Sequence, residues 1–134
     1  MLIFPIIIFG LHILLSKTVD MYALFPWIDI PMHFVGGMTM TTTLIMLYKA
    51  LQRIDIIPQM HAAITRLFLF TTISTVTIFW EFAEFSTDAS FGTHAQVSIP
   101  DTMKDMFLGM LGGLLVISLF RLFPIIKFKD GKKS

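Results

Sequence analysis

Apolar residues in this chain run in long blocks, each about as long as a bilayer is thick, and polar residues break the blocks at a few places. A helix that crosses a membrane needs about 20 mostly apolar residues. Four stretches answer to this, at 2–15, 30–51, 64–85 and 102–123. The first is short and extends through an interfacial stretch that ends in Phe25, Pro26 and Trp27. It has neither the basic start nor the small-residue cleavage site of a signal peptide, so it reads as a span. The pattern predicts an all-α, polytopic membrane protein: a compact four-helix transmembrane bundle over 1–126, followed by a basic cytoplasmic tail at 127–134. The links at 52–63 and 86–100 are short, which makes sequential spans antiparallel neighbours in an up-and-down bundle.

Composition supports this reading and removes several chemistries. The 134 residues are 55% hydrophobic and only 14% charged, where a soluble domain carries about 25% charge. Without cysteine there is no disulfide framework, zinc–thiolate site, iron–sulfur cluster or thiol nucleophile. A net charge of +1 offers no electrostatic footprint for nucleic acid, so no nucleic acid is expected as a partner and membrane lipids are.

That small sum hides a separation. Under four-span threading Lys49, Arg53, Arg66, Arg121, Lys127, Lys129, Lys132 and Lys133 share one side of the membrane, and only Lys17 and Lys104 lie on the other. The positive-inside rule then predicts a cytoplasmic 52–63 loop and cytoplasmic N- and C-termini in a bacterial inner membrane. The acids sort the opposite way. Seven of them, from Asp20 to Asp105, lie outside, and only Asp55 and Asp130 lie inside, giving a net of about −5 outside and +6 inside. Trp27, Trp80 and Tyr22 fall where an outer aromatic belt would lie.

Topology does not require acids within the spans, where an ionisable group costs roughly 2.5 to 3.5 kcal/mol and marks function by default. Asp29 and His33 stand four apart at the start of the second span. Glu81, Glu84 and Asp88 are spaced three and four at the end of the third, and Asp101 and Asp105 four at the start of the fourth. Each set shares a helix face. Because the spans alternate in direction, all three sets reach the same outer side. Carboxylates so gathered must share protons, meet basic partners or bind a cation. Oxygen ligands with one imidazole suit magnesium, manganese, calcium or zinc. Asp88 and Asp101 lie near the loop, where a solvated, neutral role competes; Asp101 follows Pro100 as a natural helix N-cap.

The remaining polar and small residues read as structural. Gly36, Gly37, Gly109, Gly112 and Gly113 let helices approach closely, or open room beside the acids. Threonines 39, 41, 42, 43, 71, 72, 75 and 77 bond within or between helices. Lys104 can neutralise a neighbouring acid. His12, His61 and His94 carry no supporting motif.

Taken in order, Asp29-x-x-x-His33-Phe34, Trp80-Glu81-x-x-Glu84, Gly92-Thr93-x-x-Gln96 and Asp101-Thr102-x-x-Asp105-Met106 resemble the YjdF-like bacterial inner-membrane proteins, over roughly residues 25–118. More distantly the pattern is similar to the VanZ-like family associated with glycopeptide resistance, from which it departs at Gly109, where an Asn is usual. The resemblance implies a four-helix membrane unit with an outer-facing polar site, and a link to phospholipid or polyprenyl-lipid head groups.

Three functions follow as expectations. The first is a membrane enzyme on lipid head groups, with His33, Asp29 and Glu81 as catalytic residues. In it Glu81, Glu84, Asp88, Asp101 and Asp105 hold a divalent cation, which an anionic pocket needs in order to accept phosphate. The second is a carrier or sensor of cations, protons or a cationic drug. The third is a small subunit associating through its glycines, as a homo-oligomer or with another membrane protein.

Overall fold

The structure, a computed structural model, describes residues 24–92 and 96–120 together with Ile7, Gly10, Leu11 and Leu14. A 3₁₀ turn, Pro26–Ile28, leads into α1, Asp29–Arg53; α2 is Ala62–Phe91 and α3 is Ile99–Leu119. All three helices are long and apolar enough to cross a membrane, and no strand occurs among the described residues. The sequence pattern predicts four spans; three stand among the described residues. The predicted span at 2–15 lies outside them, apart from Ile7, Gly10, Leu11 and Leu14, and so do His12, His94 and the tail at 127–134.

Local chemistry sets the helix limits. Asp29 opens α1 and Arg53 closes it, each at the end where the helix dipole favours its charge. His61 caps α2, its Nδ1 accepting from the Ala63 N–H at 3.3 Å. At the other end α2 runs six residues past the predicted 85 and stops at Gly92, whose left-handed φ of 64° only glycine adopts without strain. The polar Ser86–Thr87–Asp88 stretch reads as a link in the sequence. It stays helical because the Ser86 and Thr87 hydroxyls donate to the carbonyls of Phe82 and Ala83, both at 2.7 Å.

The start of α3 corrects one expectation. The N-cap is Ser98, whose Oγ accepts from the Asp101 N–H at 3.3 Å, and Pro100 sits in the first turn, where its missing N–H costs nothing. Asp101 is thus inside the helix and free of the capping duty that its place after Pro100 suggests.

Sequential helices are not the closest neighbours either. Helix α3 packs most extensively on α1 and next on α2, while α1 and α2 meet sparingly. Glycine causes this. A Cβ on Gly37 would run into the Gly109 backbone, and one on Gly112 would run into the carbonyl of Phe34, so the α1 and α3 backbones touch. Gly113 stands against Thr41 and Ile73.

The apolar core lies toward the Arg53 end of α1, where Ile45, Leu69, Val116 and Ile117 are buried together. Tyr48 links the same end, its hydroxyl 3.3 Å from Thr65 Oγ1 and accepting from Gln52 Nε2 at 3.0 Å. Large apolar side chains such as Phe79, Phe82, Phe85 and Phe107 cover the outside of the bundle, as lipid contact requires. Most threonine hydroxyls donate one turn back along their own helices, for example Thr42 to Met38 and Thr72 to Phe68.

Candidate functional site

At the opposite end of the bundle, three helices bring acids and an imidazole to one place. Asp29 is the first residue of α1 and His33 lies one turn in, so their side chains stack. His33 Nε2 is 3.1 Å from Asp29 Oδ1, and His33 Nδ1 is 3.9 Å from Glu81 Oε1. The imidazole therefore stands between a carboxylate of its own helix and one from α2. Two sets of potential ligand atoms share it, Asp29–His33–Asp105 and His33–Glu81–Glu84, each with its atoms within 4.8 Å of one another.

Burial is deep. Glu81 and Asp105 are each 4% exposed and Glu84 is 7% exposed. Glu84 Oε1 accepts from Trp80 Nε1 at 2.7 Å, a charge-assisted bond one helical turn long. Trp80 also meets His33 edge to face, with ring centroids 6.3 Å apart. Gln96 reaches back from the loop and donates through Nε2 to the Glu81 carbonyl at 3.0 Å and to Glu81 Oε2 at 3.3 Å. Lys104 Nζ bonds Asp101 Oδ1 and lies 3.6 Å from Asp105 Oδ1.

Two carboxylate oxygens in this cluster lack a hydrogen-bond donor. Glu81 Oε1 and Asp105 Oδ1 are fully buried and unbonded, as is Thr41 Oγ1 deeper in the bundle. A buried acceptor left so costs about 1–3 kcal/mol, more when charged. The 3.9 Å between Glu81 Oε1 and His33 Nδ1 is too long for a hydrogen bond. It falls within the roughly 4.2 Å that separates two ligands on opposite sides of an ion with bonds of about 2.1 Å.

The structure thus gathers Asp29, His33, Glu81, Glu84 and Asp105, and leaves two of the expected ligands outside. Asp88, one turn beyond Glu84, turns to the loop and accepts from the Gln96 N–H at 2.9 Å. Asp101 pairs with Lys104. Both share a face with the inner acids, but neither belongs to the two groups around His33 whose ligand atoms lie within 4.8 Å of one another. Trp80 and Gln96 carry larger parts than their positions suggest. Trp80 reads as interfacial belt, yet its indole N–H points at Glu84. The signal for Gln96 is its place in the ordered pattern, four residues after Gly92.

Below the cluster, a mostly apolar cleft separates α1 from α2. Met32, Gly36 and Met40 line one wall, Ile73 and Val76 the other, and Gly109 lies at its floor. His33 and Trp80 line it too, so cleft and cluster are continuous.

Three apolar helices enclosing a buried carboxylate–imidazole centre define a polytopic helical membrane protein with a polar site inside its spans. The chain belongs to the predicted membrane protein family DUF2238, which matches residues 1–124. That family is the YjdF family, in keeping with the YjdF-like resemblance of the motifs; the VanZ-like similarity rests on the motifs alone. No curated protein and no solved structure matches the chain.

Proposed function

We propose that the protein is a divalent-cation-dependent membrane enzyme acting on lipid head groups, with the cation held by His33, Glu81 and Glu84. The observation that carries this is the buried, unbonded Glu81 Oε1 facing His33 Nδ1. Metal-binding histidines usually donate their other ring N–H to a carboxylate, which fixes tautomer and orientation. Asp29 is placed to do so at Nε2, leaving the Nδ1 lone pair directed at the glutamates. Trp80 donates to Glu84 and Gln96 to Glu81, which holds the two glutamates in place. Asp105, between Asp29 and Lys104, is the group left to exchange a proton.

A cation in this place would neutralise a phosphate and activate water beside it; without one the site repels anions. Head-group chemistry fits the depth of His33, which lies about 6 Å inside the start of α1. Lys49, Arg53 and Arg66 occupy the far end of the bundle, so the positive-inside rule puts the site on the outer side.

Calorimetry on the detergent-purified protein tests the reading. About one manganese or zinc ion should bind per chain, with affinity lowered at least tenfold in His33→Ala and Glu81→Gln. A wild-type protein that binds no divalent ion sinks it.

A further inference from the structure

We infer that the cleft between α1 and α2 takes one acyl chain of a phospholipid whose head group lies at the His33–Glu81 cluster. This deepens the head-group reading and rests on it for the position of the head. The cleft is built for hydrocarbon. Its walls are methionine, isoleucine, valine and glycine, and its two threonine hydroxyls are already spent: Thr39 donates to Val35 and Thr77 to Ser74, within their own helices. An occupant finds no hydrogen-bonding group along its length until it reaches His33 and Trp80, where the polar cluster begins.

The shape follows from the helix packing. Glycine contacts hold α1 against α3 while α2 packs on α3 from another side, so a gap persists between α1 and α2. Gly36 faces open space, with no atom within 4 Å of where its Cβ would stand. From Met32 to Met40 the cleft wall rises about 12 Å, close to the roughly 15 Å depth of one leaflet's hydrocarbon. An apolar slot one leaflet deep, ending at a cation-binding polar cluster, complements one chain of a phospholipid with an anionic head.

Native mass spectrometry tests this on full-length protein that has been delipidated and re-exposed to phosphatidylglycerol. The wild type should retain one phospholipid per chain. Gly36→Phe, which projects a ring into the cleft where a Cβ has free space, should lower retention at least tenfold without changing the thermal transition. Val76→Phe should do the same from the facing helix. Glu81→Gln should lose manganese and hold the anionic lipid more weakly, because the site repels anions once the cation is gone. Retention unchanged in both phenylalanine variants overturns the inference. So does a wild type that retains no phospholipid, whether because residues 2–15 cover the cleft, a second copy does, or a polyprenyl phosphate is held instead. A wild type that retains phospholipid but binds no manganese supports the cleft and sinks the cation site.

Discussion

Single side chains at the cluster have separable duties. Asp29 pairs with the far nitrogen of His33 and lies beside Asp105, so Asp29→Asn, which keeps the shape of the side chain, should leave the fold intact and weaken divalent-cation affinity about 10–100-fold, as losing such a partner does. Titration calorimetry of the pair would show it. Affinity should also fall as the pH is lowered, because protons and the cation compete for the same ligand atoms. Gln96→Ala removes the donor on Glu81 Oε2 and should lower stability by about 1–2 kcal/mol, seen as a lower unfolding midpoint in detergent. At this scale the sequence was informative where helix periodicity applies. Spacing of three and four put Asp29 with His33 and Glu81 with Glu84. The same spacing also admitted Asp88 and Asp101, since a shared face does not say how far along the axis a side chain must reach. Gln96 approaches from a loop, where periodicity has no force.

Among the helices, the glycines divide into two kinds that look alike in the sequence. Gly37 and Gly112 meet backbone of the facing helix, and Gly36 meets nothing. Gly112→Ala should therefore destabilise the bundle by about 1–3 kcal/mol through overpacking. Gly36→Ala should be neutral or stabilise by up to about 1 kcal/mol, because the helix gains a better former at no steric cost. Thermal unfolding of the two variants side by side decides the matter, and equal effects would contradict the packing described. The bounds of α1 and α3 were legible to within four residues, because a long apolar block locates a helix even where it does not mark its ends. The end of α2 was not, because hydroxyl side chains that favour loops in water bond the preceding turn when a helix continues.

For the molecule as a whole, the separation of basic and acidic residues predicts which end faces out. The chain is naturally free of cysteine, so a single introduced one reports its side of the membrane. A membrane-impermeant maleimide applied to intact cells should label Val97→Cys, in the exposed α2–α3 link, and should label Ile56→Cys, in the α1–α2 link, only after permeabilisation. The reverse pattern would put the site on the cytoplasmic side.

The sequence alone determined that this is a helical membrane protein with acids gathered toward one end, because bilayer thickness and the cost of buried charge act on short stretches of chain without regard to what they pack against. Which acids meet His33 was decided only by tertiary structure, as was the cleft beside them. Both depend on α3 docking on α1 through glycine backbone contacts rather than α1 docking on α2, and that choice is made by surface fit between helices distant in the chain.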